Sequence, residues 1–289
     1  MLRIRKQRGE NQMNTIINIK VNGAKAKWDI TKPLLTEGAS NHKIAKSEKF
    51  KGGKYSTMIL HLAPSTISGY NTCPHASEGC KAICLNQAGQ GGCNKDRKLV
   101  NNMCHVARVG RITLLKTNKR FFFKKLKLEI DKFIMMCEFK GSLPCLRLNG
   151  TSDLNWSKIK DPESKKNLME LYPDVQFYDY TKDINQLKNV HKNYYFTFSR
   201  SENNQLNVAK ALSMGINIAV VFDKKIGLPD TYMGYPVFDA DQTDLRFLDN
   251  KLSGHGKPIV IGLLEKGYLA RHDQTGFVVR ESDLMKAVA

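Results

Sequence analysis

From residue 143 onward the chain is punctuated by six short apolar runs: 144–148 (PCLRL), 175–178 (VQFY), 194–198 (YYFTF), 216–222 (INIAVVF), 236–239 (PVFD) and 258–263 (PIVIGL). Each has the length of a buried strand, and most have its β-branched or aromatic content. Helix-like segments separate several of them. A seventh run, 55–62 (YSTMILHL), precedes two stretches with apolar residues at helical spacing, 98–117 and 119–139. Strand, helix and strand in series imply right-handed crossovers and a mainly parallel sheet. The pattern therefore predicts an α/β protein. A full or partial (β/α) barrel is the first expectation, and an open doubly wound sheet the second. Residues 16–21 alternate and predict a short strand. Residues 1–14 are polar and basic, and 22–54 are rich in Gly and Lys with little periodicity. No repeat or linker divides the remainder. The expected organisation is a basic N-terminal extension, 1–54, and one barrel-like domain, 55–289, carrying a cysteine-rich loop at 69–96.

Composition narrows the class. An apolar share of 41% over 289 residues is ordinary globular usage, which excludes collagen-like, disordered and coiled-coil chains. No run approaches the roughly 20 apolar residues a bilayer needs. The basic start is followed by no apolar signal core. A soluble intracellular protein is expected.

Charge changes the picture further. The formal net charge is +19, and it is uneven. Residues 1–140 carry 27 Lys and Arg against 9 acids, whereas residues 141–289 carry 19 against 18. A one-sided basic surface suits a phosphate-rich partner such as nucleic acid, and equally a solvated helix face. Lys116, Lys119, Arg120, Lys124, Lys125 and Lys127 lie on the second predicted helix and its approach, interleaved with Phe121, Phe122 and Phe123.

Polar residues follow the strand-like runs. They are Asn149, Gly150, Thr151, Ser152 and Asp153; then Asp179, Tyr180, Thr181 and Lys182; then Ser199, Arg200, Ser201 and Glu202. Asp223 and the pair Asp239 and Asp241 follow later runs. Ligands of parallel α/β folds sit at the carboxyl ends of the strands. Taken singly, each residue reads as a helix cap. Taken together they predict a polar pocket, because capping does not call for Lys182 and Glu202 at the same rim.

Cys73, Cys80 and Cys84 are spaced C-x6-C-x3-C, and Cys93 follows after eight residues. Cys104, Cys137 and Cys145 stand apart and read as small buried apolar residues. Three thiolates can hold three corners of a four-iron cluster. Four can hold a closed cluster or a structural zinc, although the paired C-x2-C spacing usual for zinc is missing. Three unligated thiols in a Gly-rich loop remain the plain alternative. Gly89, Gln90, Gly91 and Gly92 before a basic helix suggest backbone phosphate binding. Arg246 and Arg271 could pair with nearby acids or grip a carboxylate, pairing being the simpler expectation.

The segments LAPSTISGYNTCPHASEGCKAICLNQAG, LRLNGTSDLNW, VQFYDYTK, YYFTFSRSE and DLRFLD resemble the phage gene product 88 family over about residues 35–280. That resemblance implies a phage or prophage source, hence a host cytoplasm. A weaker one is to the radical-SAM-like phage family named for gene products 37 and 68. That family also pairs three close cysteines with Ser-Asp, Thr-Lys and Ser-x-Glu at later strand ends. Here these match Ser152-Asp153, Thr181-Lys182 and Ser201-Glu202. The resemblance implies Cys73, Cys80 and Cys84 as ligands of a [4Fe-4S] cluster. It further implies S-adenosylmethionine near Asn149, Gly150, Thr151, Ser152, Ser199 and Ser201, with Asp153, Asp179, Lys182 and Glu202 binding it or a substrate. The common radical-SAM loop is C-x3-C-x2-C with an aromatic before the last cysteine; here the gaps are six and three, and Ile83 stands there. No Gly-Gly-Glu follows the second strand, and Cys93 competes for the fourth iron. The rival function is a non-enzymatic nucleic-acid-binding phage protein with zinc or a closed cluster, its affinity carried by the basic helices.

Overall fold

The computed structural model describes residues 15–21, 23–38, 54–88, 103–256 and 258–286. Cys93 and the Gly89, Gly91, Gly92 segment lie outside the described residues. A hairpin of β1 (Ile16–Val21) and β2 (Ala24–Asp29) leads to β3 (Leu35–Glu37) and β4 (Tyr55–Leu60). The cysteine loop with its short helix α1 (Glu78–Ala82) follows, then α2 (Met103–Thr117) and α3 (Lys119–Lys140). Next come β5 (Leu143–Arg147), α4 (Leu168–Leu171), β6 (Gln176–Thr181), β7 (Tyr194–Ser199), α5 (Gln205–Ser213) and β8 (Ile218–Phe222). The chain closes with β9 (Thr231–Tyr232), β10 (Tyr235–Asp239), α6 (Asp249–Ser253), β11 (Val260–Leu264), α7 (Tyr268–Arg271) and α8 (Glu281–Lys286). All seven apolar runs of the sequence are strands.

Nine strands form one sheet in the order β3-β4-β5-β6-β7-β8-β11-β10-β9. From β4 to β8 every neighbour is parallel and follows in chain order. β11 and β10 continue the parallel set, while β3 and β9 pair antiparallel at the two edges. The sheet is open, so the full barrel expected from the sequence is not formed. The cause lies in the connections. Five strands advance one way, but the step from β10 to β11 turns back and an antiparallel strand caps each end.

One direction of advance means crossovers on one face. Helices α2, α3 and α5 share a single apolar core with Leu60, Leu146, Phe177, Phe198, Ile218 and Val220 of the strands. α3 is built for this place. Asn118 accepts the Phe121 N–H at its start, and Gly141 ends it at φ +65°, where a side chain would be strained. Phe122, Phe123, Leu126, Ile130, Phe133 and Cys137 recur at helical spacing and are buried. Each fully buried Phe or Leu of this layer contributes about 1.5–3 kcal/mol.

The opposite face is covered by the returning segment between β10 and β11. Phe247 stacks edge-on against Tyr55 and Tyr178, with ring centroids 5.3 and 5.6 Å apart. Leu245 packs with Cys145 and Tyr178. Arg246 is fully buried and pairs with Asp249 at 3.4 Å, which is the pairing the sequence favoured for it.

Part of the segment before residue 54 packs into the main core. Ile19, Val21, Trp28, Ile30, Leu34 and Leu35 all belong to the main core. The Trp28 ring lies directly on Gly110 of α2, where any side chain would collide with it. Spaced lysines masked the ribbon's single buried face in the sequence. No described helix is long and apolar enough to cross a membrane.

Candidate functional site

The cysteine loop leaves β4 at its carboxyl end and lies across the ends of β5, β6 and β7. Local hydrogen bonds explain its course. Thr72 donates its hydroxyl to the Ala63 carbonyl at 2.6 Å, and the Asp153 N–H bonds the Thr72 carbonyl at 2.8 Å. Ser77 caps α1 by accepting the Cys80 N–H at 3.1 Å. Glu202, just beyond β7, accepts from the Ser77 hydroxyl at 2.7 Å and from the Gly79 N–H at 2.8 Å. Gly79 is needed there, since an added Cβ would meet Thr275, Glu202 and Phe277.

Cys73, Cys80 and Cys84 come together half-buried. The charge of Cys80 acts on Cys73, and those of Cys80 and Cys73 act on Cys84. Burial pushes the Cys73 thiol up, and pushes Cys84 up to about 11, against the pull of the Asn86 N–H and Lys182. The Ser65 N–H donates to Cys73 Sγ at 3.3 Å, and the Thr72 hydroxyl lies 3.7 Å from it. Thiols in such a place ionise only when a cation compensates them.

Among the described residues, no group of three or more His, Cys, Asp or Glu side chains converges closely enough to hold a metal ion. Zinc holds each thiolate sulfur about 2.3 Å away. A four-iron cluster asks for a different set, one thiolate on each of three separate irons. Cys73, Cys80 and Cys84 supply three half-buried thiols on one loop, the number of ligands such a set requires.

The strand-end residues divide into two groups. Asn149 is a hub. Its Oδ1 accepts from Ser152 Oγ at 2.9 Å, from the Leu154 N–H at 3.0 Å and from Trp156 Nε1 at 3.3 Å. Thr151 donates to the Leu62 carbonyl at 2.6 Å, and Ser201 to Asn203 Oδ1 at 3.1 Å. These side chains are committed to holding loops. Gly150 packs so tightly on His61 that an added Cβ would lie 2.5 Å from its Nδ1.

Asp179 is fully buried on the helix-covered face. It accepts from the Leu148 and Asn149 N–H groups at 3.2 and 2.9 Å and from the Tyr194 hydroxyl at 2.8 Å. Burial raises its carboxyl to about 7, although Arg147 and these donors oppose the shift. It ties β5 to β6 and β7, with its carboxylate held at the Leu148 and Asn149 N–H groups where the first strand-end segment begins.

Lys182, Ser199, Asp153 and Glu202 do meet the cysteine loop. Lys182 Nζ donates to Ser199 Oγ at 3.0 Å, stands 5.3 Å from the centre of the Phe277 ring, and lies within electrostatic reach of Cys84 and Asp153. Asp153 accepts the Lys182 N–H at 2.8 Å and Gln186 Nε2 at 3.2 Å, and burial raises its carboxyl. The 275–277 loop, unflagged by any motif, is locked to β7 by Arg200, which donates to the Gly276 and Phe277 carbonyls at 2.6 and 2.7 Å. The sequence signal for it was the lone Gly276, at φ +84°. Ser65 and Asn86 were also missed, because their N–H groups, not their side chains, face the sulfurs.

Fold and site together define a mixed α/β protein with a cysteine-bearing loop over the carboxyl ends of an open, mostly parallel sheet. The chain belongs to the gene product 88 family, whose model matches residues 33–281. No curated protein and no solved structure matches it.

Proposed function

We propose that the chain is an iron–sulfur enzyme of the radical-SAM type, with Cys73, Cys80 and Cys84 as ligands of a [4Fe-4S] cluster. Three half-buried thiols on one loop over the strand ends carry the reading. Support comes from the winding: β4 to β8 advance in one direction, as the strands of a partial (β/α) barrel do. When bound, such a cluster supplies one-electron chemistry, and the protein's part is binding and orientation. Glu202 fixes the helix that carries Cys80, through Ser77 and Gly79. Lys182 provides positive charge beside Cys84, and its bond to Ser199 holds it there. Ser199, Lys182, Asp153 and the backbone at Gly150 and Thr151 are the groups left to face S-adenosylmethionine or a substrate. The remaining strand-end side chains act as supports.

The test is anaerobic purification with assay of iron, sulfide and zinc alongside the visible spectrum. About four irons and four sulfides per chain with a thiolate-to-iron band are expected. Cys73→Ala, Cys80→Ala and Cys84→Ala should each abolish both iron and band. Full iron content in any of the three variants would sink the ligand assignment. About one zinc and no iron would end the redox reading.

A further inference from the structure

Among the described residues, basic side chains of the first half gather on the run from Lys116 to Lys127 and on the β1–β2 ribbon, and the two differ in how far the charges are satisfied. The helical run is largely engaged. Arg120 pairs with Glu163 at 2.8 Å, Lys125 with Glu129 at 3.2 Å and Lys127 with Asp161 at 2.8 Å. Lys116 and Lys119 stand over the rings of Tyr70 and Phe123. Five of the six basic side chains of this run therefore have a partner within the molecule.

The β1–β2 ribbon is built differently. Its register sets Lys20 opposite Lys25 and Asn18 opposite Lys27. Strand alternation puts these four side chains on one face, and Ile19, Val21 and Trp28 on the other, buried in the core. Like charges directly opposite across a ribbon are destabilising. Lys20, Lys25 and Lys27 are exposed and make no ion pair among the described residues. The acid of the same face, Asp29, stands at the far end and accepts the N–H and hydroxyl of Thr31 at 2.9 and 2.8 Å. Asn18, Lys20, Lys25 and Lys27 border a shallow, open surface depression at the ribbon, together with Ile19 and Ala26. Folding requires only the apolar side of the ribbon. An anion spanning both strands would relieve the repulsion between the lysines.

We propose that this ribbon face binds duplex DNA through its phosphates. A two-stranded ribbon fits the major groove of B-form DNA, whereas the deep, narrow groove of A-form RNA excludes it. Lysines are point charges that suit phosphate without reading bases, so binding is sequence-independent. The proposal stands on the ribbon alone and does not depend on the iron–sulfur reading.

The experiment is fluorescence anisotropy of the full-length protein on a labelled mixed-sequence duplex, from about 50 to 200 mM salt, where phosphate contacts dominate affinity. The wild type is expected to bind with a steep salt slope. The triple variant Lys20→Gln, Lys25→Gln, Lys27→Gln is expected to flatten that slope by about 2.7, at about 0.9 per lost contact. Lys192→Gln, Lys210→Gln, Lys251→Gln removes three exposed charges elsewhere and should leave it unchanged. Should the triple variant fold poorly, Lys25→Glu alone must weaken binding more than Lys251→Glu. A triple variant with the wild-type slope, a wild type that ignores duplex at the lowest salt, or tighter binding to single-stranded RNA than to duplex would each overturn the proposal.

Discussion

The two faces of the central sheet solve burial in different ways. The face under α2, α3 and α5 is a continuous apolar layer, with Leu146, Phe177, Phe198 and Val220 buried in it. The opposite face buries charge. Arg147 pairs with Asp244 at 3.0 Å and stands over Tyr178 and Tyr180, and Arg246 is enclosed beside Asp249. Arg246 also donates to the Thr243 carbonyl, and to Ala240 O at 3.3 Å. An apolar layer is non-directional and tolerates repacking. A buried ionic layer is directional, and becomes costly when one partner is removed. The helix face therefore supplies stability, while the polar face fixes how the returning segment seats on the sheet.

The largest effect is expected where that comparison is most exposed. Arg246→Met should cost about 3–5 kcal/mol, because Asp249 stays buried without its cation. Arg246→Met with Asp249→Leu should recover most of the loss, since an apolar pair of similar volume avoids desolvating either charge. Urea midpoints of the single and double variants measure this. A double variant as unstable as the single would mean that the ionic layer stabilises in its own right. On the other face, Leu146→Ala should cost about 2–5 kcal/mol as a cavity, and no neighbouring polar change should rescue it.

A smaller effect separates support from chemistry at the rim. Gly79→Ala forces a Cβ against Thr275, Glu202 and Phe277. Overpacking of this kind costs about 1–3 kcal/mol. If the three cysteines hold a cluster as proposed, iron content should fall in step, because Glu202 fixes the same helix. Glu202→Gln keeps the volume and one acceptor, and should retain more iron than Glu202→Ala. Equal iron in the wild type, Gly79→Ala and Glu202→Ala would remove Glu202 from any role in the site.

Much of the sheet was legible in the sequence, for a physical reason. Strands buried on both sides read as unbroken apolar runs, and 194–198 and 216–222 could be little else. Closure of the sheet was not legible, because it depends on where β11 inserts, between β8 and β10, and no local pattern encodes that. β1 was legible as the alternating run 16–21, whereas β2 and β3 were hidden in a stretch rich in Gly and Lys with little periodicity. At the site, the cysteines and Lys182 were readable as residue types at strand ends. Asp179 was readable as a strand-end carboxylate, but its bonds to Leu148, Asn149 and Tyr194 arise only in the folded chain. The polar face was the least legible part: Arg147, Asp244, Arg246 and Asp249 are charged residues whose burial arises only from tertiary packing.

The smallest expected effect is a compensation between two buried titrating groups near opposite sides of that sheet. Burial raises Asp179 to about 7, so the native state binds its proton more tightly than the unfolded chain. Its contribution is present at low pH and is lost as pH rises from about 4 towards 7. Burial lowers His61 to about 3, helped by Arg108, Arg147 and Arg111. The unfolded chain binds that proton more tightly, so the His61 contribution is present above about 6.5 and is lost as pH falls towards 3. Between about pH 4 and 6.5 the two slopes oppose, and wild-type stability should change little. Asp179→Asn keeps a hydrogen-bonding side chain but cannot titrate, which removes the Asp179 slope and leaves only that of the raised Asp153 carboxyl against His61, so urea midpoints should shift towards rising with pH across that window. His61→Gln should reverse the sign and make them fall. Parallel pH profiles in the two variants would show that neither group governs stability there, and that the buried charges of the polar face set the pH dependence instead.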